Sequence, residues 1–299
     1  MEAGSPTPWQ TSPQYNQHSI PEEFLPGFER YGAIAFLIIK DGELFFKQYW
    51  ENYSPESHSN SFSMAKSIIS LGIGCAIDDG FIINTNQPVS DFYPEFQGYG
   101  NIPLTIRHLL TMSAGVDFEE EYTTSFSPTT QLYYGKDLHR ITFGMKEIEE
   151  PGKRFIYQSG VTQLLAYVLE KATGEPVSTY ISRKLWTPMQ AEENALWSLD
   201  KKDGMEKAYC CFNSNARDFA RFGQLILNKG SWNNGQLIFP DYLQQAITPD
   251  TTLLYEYTNE PNLCYGYQFW YLTYQGLAVH YLRGILGQYV FAIPEKMLW

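Results

Sequence analysis

The chain has 299 residues, enough for a large hydrophobic core in one or two domains, and its 43% hydrophobic and 18% charged content is typical of a globular protein. Its formal net charge of −12 argues against a nucleic-acid-binding surface, and its apolar stretches near the N-terminus are too short to insert into a membrane. Four cysteines without zinc-ligand spacing and five scattered histidines predict no disulfide framework, no metal site and no cofactor.

The N-terminal region is predicted to be a polar arm, residues 1–27, followed by a β-hairpin. Residues 1–25 have neither the basic start nor the apolar middle of a secretion signal, so the protein is either cytoplasmic or a bacterial periplasmic protein whose signal has been removed. Two β-rich runs, residues 32–39 and 43–50, flank Lys40-Asp41-Gly42. An Asp-Gly pair between such runs is typical of a hairpin turn.

The next segment places a serine and a lysine one helical turn apart. The apolar run Met64–Ile77 predicts a buried helix, and positions i and i+3 of a helix share a face, so the Ser63 hydroxyl and the Lys66 amine would be neighbours. Burial disfavours an ammonium ion, which would let Lys66 act as the base that activates Ser63. The alternative is an N-cap serine followed by a lysine whose amine reaches water.

The middle of the chain, residues 104–181, is predicted to be mainly helical. His108 lies in a helix predicted over residues 105–112, where it would pack or cap. Residues 116–139 form an aromatic, Ser/Thr-rich stretch without clear periodicity, and loops of this length are either disordered or functional lids. The aromatic side chains favour a lid. Further helices are predicted over residues 161–171 and 216–228.

The chain ends in β-rich runs, which include residues 278–282 and 288–293. The order of hairpin, helical block and strands predicts an α+β fold in which the hairpin and these strands share one antiparallel sheet, flanked by helices. The predicted organisation is a sheet domain formed by residues 28–60 and 200–299 and an inserted, mainly helical domain of residues 61–199.

Three motifs occur in a familiar order: Ser63-Met64-Ala65-Lys66, Tyr157-Gln158-Ser159 and Gly284-Ile285-Leu286-Gly287-Gln288. With them, the chain from about residue 32 onward resembles the serine β-lactamase-like hydrolases, in the branch with class C β-lactamases, family VIII carboxylesterases and 6-aminohexanoate-dimer hydrolase. The resemblance implies a β-lactamase/transpeptidase-like fold. It also implies an enzyme that hydrolyses a small amide or ester through an acyl-enzyme.

The resemblance implies a role for each motif residue. Ser63 would form the acyl-enzyme, Lys66 would act as or assist the general base, and Tyr157 would relay a proton to the leaving group. Ser159 would help to position the Lys66 amine by hydrogen bonding.

The same resemblance implies contacts with the substrate. The backbone N–H groups of Ser63 and Ile285 would form an oxyanion hole. Because the donors are backbone groups, the side chain of Ile285 can be apolar. Tyr122 would touch the substrate amide from the lid, unless it only packs there.

The chain also departs from the family pattern. Class C β-lactamases carry Lys-Thr-Gly on the strand that faces the nucleophile, whereas the nearest residues here are His280, Tyr281, Leu282 and Arg283. Either Arg283 binds a substrate carboxylate or the substrate has none at that place. An amidase or carboxylesterase is therefore favoured over a β-lactamase or D-amino-acid peptidase. A non-catalytic binding or sensor protein is the third alternative, and the sequence does not predict the oligomeric state.

Family members continue past the strand at 288–293 with another strand and a terminal helix, whereas this chain stops at Trp299. We therefore expect either a truncated chain or a partner that completes the fold.

Overall fold

A computed structural model describes residues 1–296 of the chain. The helices are α1 (Leu25–Arg30), α2 (Met64–Asp78), α3 (Ile106–Leu110), α4 (Pro128–Tyr134), α5 (Leu138–Thr142), α6 (Ser159–Thr173), α7 (Val177–Ile181), α8 (Ala216–Leu227) and α9 (Pro240–Ala246). The strands are β1 (Ala35–Lys40), β2 (Glu43–Tyr49), β3 (Ser59–Asn60), β4 (Arg154–Phe155), β5 (Leu196–Trp197), β6 (Phe212–Ser214), β7 (Ser231–Trp232), β8 (Gly235–Gln236), β9 (Leu254–Tyr255), β10 (Trp270–Tyr274), β11 (Leu277–Gly284) and β12 (Gln288–Ala292).

Helix α2 lies at the centre of the molecule. Every side chain from Met64 to Ala76 is buried, because apolar residues cover the whole circumference of the helix rather than one stripe. It packs against α6, α9 and β11. Gly74 permits the contact with α9, since an added Cβ would lie 2.6 Å from ring carbons of Tyr242. The predicted buried helix is therefore confirmed, and it ends at Asp78, one residue after the apolar run.

Capping residues, which act through side chains at helix starts and through a glycine backbone at one helix end, explain the limits of several predicted helices. Thr105 caps α3, and its N–H donates to Nδ1 of His108 at 3.1 Å, so His108 has the predicted capping role. Helix α6 ends at Gly174, whose φ of 72° is left-handed. Asn215 caps α8 through its side chain and so fixes the start of the helix predicted over residues 216–228.

The N-terminal hairpin and the C-terminal strands form two separate antiparallel sheets rather than the single sheet that the sequence predicts. Strands β1 and β2 pair with each other, and β10, β11 and β12 form a separate three-stranded sheet. Both sheets pack against α8, which touches β1 and β12. The prediction of one sheet is wrong because, in the described part of the chain, helix packing rather than hydrogen bonding joins the hairpin to the C-terminal strands.

The predicted lid, residues 116–139, contains regular structure. Ser127 caps α4, which carries Pro128 at its first turn, where the absent N–H of proline costs nothing. The sequence shows no helical period here because α4 has only 7 residues. Opening and closing of this segment stays a prediction.

The N-terminal arm runs beside β2. The N–H of Leu44 donates to the Gln10 carbonyl at 2.8 Å, and the N–H of Ser12 donates to the Leu44 carbonyl at 3.1 Å. The division of the chain into arm, sheet domain and helical domain stays a prediction. Within residues 1–296, none of the helices is both long and apolar enough to cross a membrane. The prediction about a missing strand and helix concerns the end of the chain and lies outside the described residues.

Candidate active site

The first turn of α2 brings Ser63 and Lys66 into contact. The Lys66 Nζ lies 3.0 Å from the Ser63 Oγ. Ser63 makes no side-chain capping bond to the helix, and Lys66 is only 1% exposed, so neither the N-cap nor the solvent-reaching alternative describes them. Ser63 itself stays partly exposed. The hydroxyl is therefore accessible from outside while the amine beside it is not.

Two further groups hold the Lys66 amine. Nζ donates to the Ser159 Oγ and to the Tyr209 carbonyl oxygen, each at 3.0 Å. Ser159 is the first residue of α6, and Tyr209 precedes the strand β6. The amine thus stands where α2, α6 and the chain before β6 meet. The sequence predicts the contact with Ser159, but it gives no signal for a backbone carbonyl.

Burial changes the chemistry of Lys66. It lowers the pKa of the Lys66 amine to about 8, and the nearby Glu120 carboxylate acts in the opposite direction. An appreciable fraction of the amine is therefore neutral near physiological pH. A neutral amine beside a serine hydroxyl can accept its proton.

Tyr157 is brought to the same place from the segment before α6. The Lys66 Nζ lies 4.9 Å from its ring centroid, and Ser63 is close enough to offset part of the rise in its pKa. Tyr265 and Trp270 pack against the ring, with centroids at 5.9 and 5.6 Å. Burial, with Glu120, raises the pKa of Tyr157 well above its ordinary value, so this phenol stays protonated.

Glu120 is a residue of the site that the sequence analysis missed. Its carboxylate accepts hydrogen bonds from the N–H and the Oγ of Ser159, both at 2.6 Å, and a further one from the Tyr122 hydroxyl. Glu120 is one of three consecutive glutamates in the lid, and nothing in the sequence distinguishes it from Glu119 or Glu121. The available signal was the Ser159 hydroxyl, whose own proton needs an acceptor if its oxygen faces Lys66.

Tyr122 reaches the site but is already partnered. Its side chain is 53% exposed, and its hydroxyl donates to Glu120. Partial desolvation and the Glu120 charge raise the pKa of Tyr122, which keeps its hydroxyl a donor. A contact between Tyr122 and a substrate stays a prediction.

The end of β11 lies against the segment that precedes Ser63. An added Cβ on Gly284 would lie 2.3 Å from the Ser61 carbonyl oxygen, so only glycine permits this approach. Ile285 follows directly, with its side chain 47% exposed. Arg283 precedes it, and its guanidinium lies 5.3 Å from the ring centroid of Trp270. Within residues 1–296, Arg283 forms no ion pair.

Cys210 and Cys211, which follow Tyr209, form a disulfide. The bridge joins adjacent residues, so it ties no two elements together and is not a framework. In the described part of the chain no group of three or more His, Cys, Asp and Glu side chains is arranged to hold a metal ion.

Comparisons of the sequence identify the family. A model of the Beta-lactamase family matches residues 26–298. The 6-aminohexanoate-dimer hydrolase of Paenarthrobacter ureafaciens is 25% identical over 224 residues, which cover 71% of this chain and 56% of that protein. Protein flp of Staphylococcus aureus (strain MW2) is 24% identical over 185 residues, 58% of this chain and 35% of that protein. The chain thus spans about half or less of the length of these curated relatives.

Comparisons of the structure identify the fold. A structure described as "Putative 6-aminohexanoate-dimer hydrolase from Bacillus anthracis" superposes with a TM-score of 0.83 at 20% identity, over 98% of this chain and 81% of that chain. A beta-lactamase/D-alanine carboxypeptidase from Yersinia pestis superposes with a TM-score of 0.70 at 17% identity, over 91% of this chain and 87% of that chain. The predicted β-lactamase/transpeptidase-like fold, with mixed helices and antiparallel sheet, is confirmed.

Proposed function

Because this chain belongs to the Beta-lactamase family, we propose that it is a serine hydrolase that cleaves a small amide or ester bond through an acyl-enzyme, as an amidase or carboxylesterase similar to 6-aminohexanoate-dimer hydrolase. One observation carries the proposal. The buried Lys66 amine, with its pKa lowered to about 8, lies 3.0 Å from the partly exposed Ser63 hydroxyl. A base and a nucleophile at hydrogen-bonding distance are the minimum that acyl transfer requires.

In the acylation step Lys66 accepts the proton of Ser63 while the Ser63 Oγ attacks the carbonyl carbon. Tyr157 is unsuited to be this base, because its raised pKa keeps it a neutral phenol. The negative charge that develops on the carbonyl oxygen would be stabilised by the backbone N–H groups of Ser63 and Ile285. The contact of Gly284 with Ser61 supports this pair, since it holds the chain before Ile285 against the segment before Ser63.

The leaving group must then receive a proton. Tyr157, whose ring centroid lies 4.9 Å from the Lys66 Nζ, would donate its phenolic proton to the departing nitrogen or oxygen and recover one from the protonated Lys66. The C–N or C–O bond breaks and the acyl group stays on Ser63. Water then attacks the acyl carbon and loses a proton to Lys66, and the protonated Lys66 gives that proton to the Ser63 Oγ as the bond to the acyl carbon breaks and the acid departs.

The aromatic rings beside Lys66 favour a substrate with an apolar chain. Trp270 packs against Tyr157, and Arg283, over the Trp270 ring, adds a cation that forms no ion pair within residues 1–296. A substrate carboxylate would fit Arg283. Arg283 is thus one proposed substrate contact, and Tyr122, which the family resemblance implies, is the other.

A fluorophosphonate probe tests the proposal, since it phosphonylates an activated serine. We expect a covalent adduct on Ser63, found by intact-mass and peptide analysis, and no adduct in Ser63→Ala. Lack of labelling in the folded wild-type protein would instead support a non-catalytic binding or sensor protein.

A β-lactamase or D-amino-acid peptidase is the second candidate, because the Yersinia pestis protein that shares the fold is described as a beta-lactamase/D-alanine carboxypeptidase. Residues 280–283 stand where a Lys-Thr-Gly motif would attract the carboxylate of such substrates, and they read His-Tyr-Leu-Arg. We expect p-nitrophenyl esters and linear amides to be hydrolysed faster than nitrocefin. Rapid nitrocefin turnover would reverse this order.

A further inference from the structure

The Glu120 carboxylate fixes the direction of a hydrogen bond in the site. A carboxylate can only accept, so the Ser159 hydroxyl, 2.6 Å from a Glu120 oxygen, must donate its single proton to Glu120. The lone pairs of the Ser159 Oγ then face the Lys66 Nζ at 3.0 Å. Ser159 is therefore an acceptor toward Lys66.

The hydrogens and the lone pair of the Lys66 amine can be assigned to their partners in the same way. The Tyr209 carbonyl oxygen also can only accept, so two N–H bonds of Lys66 point at Tyr209 and Ser159. A neutral amine has two hydrogens and one lone pair. With both hydrogens used, the lone pair points at the remaining neighbour, the Ser63 Oγ at 3.0 Å.

We propose that Glu120 is a positioning residue: it makes the Ser159 hydroxyl an acceptor and thereby directs the lone pair of neutral Lys66 at the Ser63 hydroxyl. The inference rests on the proposed serine hydrolase function. Glu120 contacts neither Ser63 nor Lys66 by a hydrogen bond, so it acts through Ser159 rather than on the substrate.

The negative charge of Glu120 has a second measurable effect, which is on the pKa of Lys66. It raises the pKa of Lys66 against the larger effect of burial. The other titratable groups that face Lys66 are Tyr157 and Tyr209, whose ring centroids lie 4.9 and 5.5 Å from Nζ, and burial keeps both phenols neutral by raising their pKa values. Farther out, the positive charge of Arg283 acts on Tyr157. Loss of the Glu120 charge therefore lowers the pKa of Lys66.

The substitution Glu120→Gln changes the polarity of the contact with little change in shape. The amide oxygen can still accept from the Ser159 N–H, which leaves the amide NH₂ facing the Ser159 Oγ. The Ser159 hydroxyl would then accept from the amide and donate its own proton to the Lys66 lone pair. That lone pair would no longer be available to Ser63.

The experiment measures kcat, KM and the pH dependence of kcat/KM with a p-nitrophenyl ester for wild type, E120Q, E120D and E119Q. Glu119 is the exposed neighbour, so E119Q is the matched control for loss of one charge. We expect kcat of E120Q to fall at least about tenfold, a part of the 10²–10⁴ that general base catalysis contributes. KM should change less than kcat. The acidic midpoint of kcat/KM should shift to lower pH in E120Q, whereas E120D, which keeps an acceptor-only charge, should recover part of the rate and of the midpoint.

A second background tests the path through Ser159. In S159A, the further change E120Q should cause little additional loss of kcat, because the hydroxyl that it would reverse is gone, but it should still lower the midpoint. Rates are divided by the folded fraction from thermal unfolding. A kcat of E120Q within twofold of E119Q, or an unchanged midpoint, overturns the inference. If wild-type Ser63 is not labelled by the fluorophosphonate probe, the proposed function fails instead.

Discussion

The substitution Gly284→Ala tests whether the end of β11 forms one side of the oxyanion hole. The Cβ that it adds would lie 2.3 Å from the Ser61 carbonyl oxygen, 2.9 Å from the Gln288 Cβ and 3.2 Å from the Phe62 Cβ. Two of these neighbours belong to the segment that leads into Ser63, and Ile285 follows the substituted residue. Relief of the clash therefore moves the backbone N–H of Ile285, the proposed oxyanion donor, away from the Ser63 hydroxyl.

The size of the effect follows from the clash. Carbon and oxygen atoms in contact lie well beyond 3 Å apart, so relief of the contact needs a displacement of about 1 Å, and a misplacement of this size can cost about 100-fold in rate. Removal of one oxyanion donor costs a similar 10²–10³ in kcat. Gly284 does not have a positive φ, so the clash rather than backbone strain accounts for the loss. We expect kcat of Gly284→Ala to fall about 100-fold with a p-nitrophenyl ester.

The assay compares kcat and KM with those of Gly27→Ala, in which the added Cβ meets no atom within 4 Å. The control should keep wild-type activity. Thermal unfolding shows whether Gly284→Ala stays folded at the assay temperature. A folded Gly284→Ala enzyme with kcat within threefold of wild type would refute the proposed position of the oxyanion hole.

Two further predictions concern charge. The kcat/KM of the wild type should rise with pH and level off above a midpoint near 8. The reason is that burial lowers the pKa of Lys66 to about 8 and only its neutral form accepts the Ser63 proton. A flat profile between pH 6 and 9 would exclude Lys66 as the base. Arg283→Gln should raise KM about tenfold or more for a linear amide that carries a carboxylate, since a hydrogen bond to a charged group contributes about 1.5–3 kcal/mol. The same substitution should leave KM for a neutral ester unchanged. Equal effects on both substrates would show that Arg283 binds no carboxylate.

Local patterns in the sequence were sufficient to predict helix α2 and the meeting of Ser63 with Lys66. An unbroken apolar run predicts a helix buried on all sides, and the spacing of three residues places the hydroxyl and the amine on one face. The contacts of Tyr157 and Ser159 with this pair needed the family resemblance, because 91 or more positions along the chain separate them from Lys66. No rule of periodicity brings such distant residues together.

Predictions that depended on long-range pairing were less successful. The order of elements predicted one sheet for the N-terminal hairpin and the C-terminal strands, whereas they form two sheets and α8 packs against both β1 and β12. It could not predict which strand edges form hydrogen bonds, because every β-rich run offers the same backbone donors and acceptors. The 7-residue helix α4 was missed in the lid for a related reason, since two turns are too short to establish a period.

Glu120 shows what a more complete reading of the sequence would have required. A buried lysine that serves as a base needs acceptors for the hydrogens of its neutral amine, and a serine that accepts one of them needs an acceptor for its own proton. That chain of requirements starts at Ser63 and Lys66, passes through Ser159 and ends at a group that can only accept. It predicts that a carboxylate or a backbone carbonyl stands beside Ser159, but it does not say which part of the chain supplies it. The three-dimensional path of the lid decides that point, and it selects Glu120 among three consecutive glutamates because only its carboxylate reaches both the N–H and the hydroxyl of Ser159.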